Sequence, residues 1–301
     1  MKQIFTILSI LFCFGGALFS QSVSFDISGG YCAPIASAFS TVSDKEFQTA
    51  TYPHFYSTTQ TVKSTSYGQG GNVALNFNWF SKKDIGCGLR ANVLFSAPFS
   101  YTIDVTYLNG NNATYNFRDR PFSFQFIPHI CFKHDFKVVT PVIEMGMLIG
   151  ITHVNEDYTA NYFSGDVEAS TINSHGGALL GFYSSMGLQF KVSKAVKILL
   201  AVNCSVGSYS PTQWDRTSLS VNGQDLMSVL APVDLHGVYV KQLDHTAAQP
   251  ASQPHQDLKY SVPFSSIGFS AGIAFTFDKK KSAAMGKEGT KEKNDNVIHP
   301  F

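Results

Sequence analysis

The sequence predicts an all-β chain: an antiparallel up-and-down transmembrane β-barrel of about eight strands, with ten as the competing count. Three observations carry this. Apolar residues alternate with small or polar ones in run after run, which marks strands with one greasy and one wet or tightly packed face. Beyond residue 20, no stretch approaches the ~20 apolar residues of a spanning helix. The links between runs alternate between short and long, as in barrels with short periplasmic turns and long extracellular loops.

The clearest run is 264–277, FSSIGFSAGIAFTF. Ile267, Phe269, Ala271, Ile273, Phe275 and Phe277 point one way; Ser266, Gly268, Ser270, Gly272, Ala274 and Thr276 point the other. A lone strand cannot cross lipid, because its N–H and C=O groups would be unpaired there. The rest of the chain must supply the other staves of a closed barrel.

Taken in order, residues 1–20 read as a signal peptide, with Lys2 as the positive region, 4–14 as the apolar stretch and small residues before Ser20. Cys13 follows Phe12, where lipid attachment would need a small residue. Residues 21–277 are the barrel, and 278–301 form a lysine-rich tail expected to be disordered in the periplasm. Within the barrel, 22–31 alternates Val23, Phe25 and Ile27 against Ser24, Asp26 and Ser28. Residues 32–66 read as a long loop. Run 72–80, NVALNFNWF, sets Val73, Leu75, Phe77 and Trp79 against Asn72, Asn76 and Asn78; repeated asparagine on one face suits a wet lumen.

A short turn near 82 leads to 85–95, with Arg90 and Asn92 facing in, and on to Asn109-Gly110, a hairpin signal. The return run 121–132 puts Phe122, Phe124, Phe126, Ile130 and Phe132 outside and Ser123, Gln125 and His129 inside. A lysine at inward Ser123 should therefore be tolerated far better than one at Phe126. After a turn near 135, run 138–152 turns Ile143, Met145, Met147, Ile149 and Ile151 outward and Thr140, Glu144 and Gly146 inward. Residues 153–175 read as a polar loop. Runs 176–191 and 196–209 form a pair, and 211–263 is the longest link, with a flexible Pro/Ala/Gln stretch at 246–256. Residues 233–240 also have strand character and give rise to the ten-strand alternative.

Composition agrees. The 301 residues are 44% hydrophobic and 14% aromatic, and only 14% are charged, against about 25% charged in a typical soluble domain. A secreted β-sandwich is the alternative fold that shares this composition. A net charge of +1 gives no case for nucleic acid. Cys32, Cys87, Cys131 and Cys204 lie in strand-like runs without zinc-type spacing; they read as small apolar residues, with a disulfide left open. No cofactor or metal is expected.

On the export segment, the alternating staves, the link asymmetry and the final strand ending FTF, the chain resembles the small outer-membrane barrels of Gram-negative bacteria, the OmpA/OmpX-type superfamily. The resemblance covers 22–277 and implies outer-membrane lipid and the barrel-insertion machinery as partners. It also implies that both chain ends lie in the periplasm. The tail after Phe277 departs from barrels that end on the aromatic residue, and it is too short for a peptidoglycan-binding domain. The resemblance transfers no site residues.

Two sets of residues could carry function. Arg90, His129 and Glu144 lie on the inner faces of successive staves at similar distances from short turns, and Asn76, Gln189 and Lys197 are expected to join them. An eight-stranded lumen is just filled by side chains, so this set reads as a paired polar plug, with an ion path as the alternative. The second set is aromatic: Tyr52, Phe55, Tyr56, Tyr107, Tyr115, Tyr158, Tyr162 and Trp214 fall in the long links. They either form a contact surface for a protein or glycan or pack on one another as an upper girdle. His153 and His175, with Ser174 beside them, are the only pattern resembling a lipid-modifying hydrolase, and no GxSxG element accompanies them. The expectation is a non-enzymatic outer-membrane barrel acting through surface loops. The alternatives are a narrow pore or transporter for small solutes or apolar molecules and, behind it, the lipid-modifying enzyme.

Overall fold

The period-two runs pair into sixteen strands in a computed structural model that describes residues 22–35, 57–61, 66–80, 84–106, 112–242 and 249–278. Eight strands close a barrel: β1 (Ser22–Pro34), β3 (Gly70–Phe80), β4 (Ile85–Ser96), β6 (Asn112–Lys133), β7 (Val139–Tyr162), β9 (Leu179–Lys191), β10 (Val196–Tyr209) and β16 (Ser266–Asp278). All eight neighbouring pairs are antiparallel, and β16 returns to β1 in continuous register from Ser22↔Asp278 to Pro34↔Ser266. Closure leaves no unpaired edge, which lipid requires.

Side chains alternate as the pleat demands. Outward Phe126, Ile143, Leu200 and Phe269 are exposed, while inward Ser123, Asn76, Thr140 and Leu148 are buried. Phe25 packs between its cross-strand partners Phe77 and Phe275, with ring centroids 4.8 and 6.3 Å apart. An apolar belt on the outside and a polar interior make this a transmembrane barrel. Among the described residues, no helix is long and apolar enough to cross a membrane.

The barrel is much taller at one end. β7 has 24 residues, about 80 Å along its axis at ~3.3 Å per residue, against a hydrocarbon core of ~30 Å. The upper halves of β6 and β7 carry further strands: β5 (Phe99–Thr106), β2 (Ser57–Thr61), β8 (Val167–His175), β11 (Gln213–Val221), β13 (His236–Val240) and β14 (His255–Leu258). They form a crown in the order β2-β5-β6-β7-β8-β11-β13-β14, with β13 and β14 parallel. Two short strands, β12 (Gln224–Asp225) and β15 (Val262–Pro263), pair with β11 and β10.

Three expectations change, and the open question of a disulfide is settled. The ten-strand count falls, because 233–240 becomes a single helical turn, Pro232–Leu235, followed by β13 in the crown, not a barrel stave. The stretch 153–175 is not a loop: it is the end of β7 and all of β8, wet on its outer face and therefore without apolar alternation. The part of 246–256 that is described is clamped, since Gln249 Nε2 donates to the Gln256 carbonyl at 3.1 Å and its Oε1 accepts from the Gln256 amide at 2.8 Å. The cysteines at 32, 87, 131 and 204 are all free. The signal peptide, the tail beyond 278, and Tyr52, Phe55, Tyr56 and Tyr107 lie outside the described residues.

Candidate functional site

Five barrel strands bring polar side chains together in the middle of the lumen. β1 supplies Asp26 and Ser28, β3 supplies Asn76 and Asn78, β4 supplies Arg90, and β6 and β7 supply His129 and Glu144. Glu144 is the hub. Its Oε1 accepts from Asn76 Nδ2 at 2.6 Å and Asn78 Nδ2 at 3.4 Å, and its Oε2 lies 3.7 Å from Arg90 Nη1. Asn76 Nδ2 also donates to Asp26 Oδ2 at 3.1 Å, so one amide bridges two carboxylates.

Arg90 is buried; its Nη2 donates to Ser28 Oγ at 3.3 Å, and its guanidinium lies 5.3 Å from the centre of the Tyr183 ring. His129 Nδ1 is 3.0 Å from the Ile127 carbonyl, an obligate acceptor, and therefore carries a proton. Its Nε2 lies 2.7 Å from Asn78 Oδ1 and 3.9 Å from Glu144. The backbone is shaped to this packing. A Cβ at Gly88 would collide with Asn78 Oδ1 and His129 Nε2, and one at Gly146 would collide with His129 Cβ. Gly88 and Gly146 thus leave no gap; they make room for the network.

Above this layer the lumen carries an apolar cluster on one side and, on the other, a polar ladder of Asn72, Asn92, Gln125, Ser123 and Thr152. Leu94, Ile127, Leu148 and Leu179 point inward and pack with Tyr67, Tyr209, Val262 and Phe264. Phe264 meets Tyr67 and Tyr209 edge-on, at centroid distances of 5.8 and 6.2 Å. Its amide donates to the Gly207 carbonyl at 2.8 Å, and the Tyr67 amide donates to the Pro263 carbonyl at 3.1 Å. Between the layers, a void of about 20 Å3 beside Asn72, Arg90, Asn92 and Tyr183 has room for about one water.

Asn76 therefore joins Arg90, His129 and Glu144, whereas Gln189 and Lys197 do not. Lys197 is held toward the short-turn end, its Nζ donating to Asp135 and Thr140 at 3.4 Å each, and Gln189 is the register partner of Thr140. Asp26, Asn78 and Tyr183 belong to the network but were not in the expected set. The period-two phase already put Asp26 and Asn78 on the inner face.

The described loop aromatics sit on the crown and pack on one another. Tyr101 stacks on Phe117 at 4.7 Å and 7°, Phe117 meets Tyr158 at 5.9 Å, and Tyr115 meets Tyr162 edge-on at 6.2 Å. Glu168 ties the upper end, accepting from the hydroxyls of Tyr158 and Tyr162. Trp214 is separate: it lines a cavity of about 320 Å3 between β7, β8, β11 and β13.

The crown also holds carboxyls, which lie beyond the exposed outward residues Tyr31, Phe95 and Phe122 along the strands. Burial pushes Asp119 up to about 6 against the hydrogen bond from Tyr67, and burial together with the charge of Asp119 pushes Glu156 up to about 7. On the outer face, His175 Nε2 and His236 Nδ1 flank Asp215 at 2.7 and 2.6 Å, and these bonds hold its carboxyl below the usual range. His153 lies 6.2 Å from His175, centre to centre. Ser174 is buried inward, its Oγ 3.1 Å from the Tyr239 hydroxyl, and so turns away from these histidines.

No family model matches the chain, and no curated protein matches it. Among solved structures, the outer membrane protein OprG from Pseudomonas aeruginosa is similar over 86% of this chain and 97% of its own, with 12% identity and a TM-score of 0.38. The outer membrane protein AlkL, determined by solid-state NMR in lipid bilayers, is similar over 87% of this chain and 92% of its own, with 10% identity and a TM-score of 0.27. The fold assignment rests on the closed strand register described above, not on these likenesses.

Proposed function

We propose that this protein is an outer-membrane barrel with a sealed lumen, a scaffold that presents its crown at the cell surface. The observation that carries the reading is the double closure of the interior. Glu144, Arg90, Asn76, Asn78 and His129 interlock across the lumen, and the apolar layer around Phe264 lies directly above them. A pore would need open space beside the lumen glycines, and at Gly88 and Gly146 that space is taken by Asn78 and His129. Rigid barrels commonly carry function on the connections they display. Both ends of the described barrel lie at the short-turn end, since Ser22 is opposite both Asp278 and Phe80. That end is proposed to face the periplasm.

The test is single-channel recording in planar bilayers with the purified mature chain. The expected result is a silent membrane under conditions in which a general porin conducts. Discrete current steps whose ion selectivity changes in Arg90→Gln or Glu144→Gln would overturn the reading and make Arg90, His129 and Glu144 a pore lining.

A further inference from the structure

The crown cavity has chemistry that the sealed barrel does not use. At about 320 Å3 it lies at the lower end of the range of small-ligand sites. Its aromatic walls are built: Tyr239 and Tyr260 meet at 5.2 Å with their planes at 81°, two sides of a box. Trp214 forms another side. Its indole lies so close to Gly237 that a Cβ there would collide with it, and its Nε1 donates to Asp257 Oδ2 at 2.6 Å. The tyrosine hydroxyls are engaged with Ser174 and with each other, which leaves ring surface to line the space.

Three carboxyl groups, Glu156, Asp234 and Asp257, line the same cavity against one guanidinium, Arg216, and one imidazole, His255, which lies 3.4 Å from Asp257. Glu156, pushed up to about 7 by burial, adds its full charge above that pH. Aromatic walls with an excess of negative charge suit a positively charged organic group: the ring faces attract the cation and the carboxylates neutralise it. A bare metal ion fits less well, because no cluster of metal-ligating side chains occurs among the described residues.

We infer that this cavity binds a small organic cation carrying a quaternary ammonium group, boxed by Trp214, Tyr239 and Tyr260 and neutralised by Asp234 and ionised Glu156. The inference rests on the crown being the working part of the molecule, and it names what the crown holds.

The test uses the full mature chain in detergent, with choline as the probe and its neutral carbon isostere, 3,3-dimethylbutan-1-ol, as the control, followed by titration calorimetry. At about pH 8, where Glu156 is ionised, choline should bind saturably at one site. The isostere should bind about tenfold more weakly or worse, the equivalent of one desolvated cation–π contact. Tyr260→Leu and Glu156→Gln should each weaken choline by about the same factor while the heat-modifiable gel mobility of the folded barrel is kept. Asp234→Asn is a second charge variant at an exposed position, in case Glu156→Gln disturbs the crown. Equal affinity for choline and its isostere, saturable binding of a neutral sugar in place of choline, or no binding of choline overturns the inference. The two readings fail separately. A conducting lumen with intact choline binding sinks the sealed barrel alone, and a silent lumen with no choline binding sinks the cation site alone.

Discussion

Arg90 shows what a single residue does in a poorly solvated lumen. It is the guanidinium facing two carboxylates, Glu144 at 3.7 Å and, further off, Asp26, and the Asn76 amide joins those carboxylates. Breaking a buried pair by removing one partner costs about 3–5 kcal/mol, less where water enters. The losses should be unequal. Arg90→Gln leaves two facing carboxylates without a counter-charge, whereas Glu144→Gln leaves Arg90 facing Asp26. Urea unfolding in detergent should therefore rank Arg90→Gln below Glu144→Gln in stability, with the double variant recovering much of the loss. Strict additivity, or the reverse ranking, would mean that the charges are solvated rather than paired. Gly88→Ala should also destabilise, by about 1–3 kcal/mol as an overpacked site, because its Cβ has Asn78 and His129 in its way. Much of this network was legible in the sequence, because period-two phase fixes the face a residue points to. Depth was less legible. Distance from a turn does not fix height in a barrel whose tilted strands are staggered, which is why Lys197 and Gln189 sit below the layer they were expected to join. Asp26 had the right phase but no neighbouring short turn from which to count.

At the scale of a strand, the outer face of the belt and the crown obey different solvents. A lysine at Phe126 or Ile143 should cost about 2–4 kcal/mol near the bilayer midplane. Ser123 is no longer a permissive control. It is fully buried, with Thr152 Oγ1 donating to it at 3.2 Å, so a lysine there should fail by overpacking instead. Alternation revealed that Ser123 faces inward but not how tightly the interior is filled. The crown strands were legible only in part, since a strand wet on its outer face shows no greasy period, and 153–175 accordingly read as a loop. Their distinctive handle is pH. Asp119 rises from 3.8 to about 6 and Glu156 from 4.5 to about 7, mainly through burial. The folded crown therefore holds more protons than the unfolded chain across that interval. Stability is fully present below the unfolded values and is lost as pH rises through about 6 and about 7. Hydrogen exchange, corrected for intrinsic rates, should show stronger protection of 112–121 and 154–161 at about pH 5 than at about pH 8. Asp119→Asn with Glu156→Gln should flatten the difference. An unchanged difference in that double variant would assign the effect to other groups, the histidines around Asp215 first.

For the whole molecule, the consequence of stacking an apolar layer on a polar one is that the lumen is closed twice, in series. Eight staves and the alternation of short and long links could be read from the sequence, because both follow from crossing a membrane and turning back. The upper closure could not, because it is made by residues from different parts of the rim. Tyr67 precedes β3, Val262 and Phe264 precede β16, and Tyr209 ends β10; only the closed barrel brings them over Leu94, Ile127, Leu148 and Leu179. Series closure makes a specific prediction about conductance. Tyr67→Ala with Phe264→Ala removes the centre of the upper layer, at a stability cost of several kcal/mol as large buried aromatics are truncated, about 3–5 for each. The membrane should nevertheless remain silent, because the polar network below is untouched. Replacing Asp26, Asn76, Arg90 and Glu144 together by Ala removes the charged hub of the lower layer, leaving Asn78 and His129, and this variant should also be silent, because the aromatic lid remains. Only the combination of all six changes should conduct, provided that its heat-modifiable mobility shows a folded barrel. If either layer alone is enough to open a current when removed, the remaining layer is not a seal, and the path through the barrel runs past it.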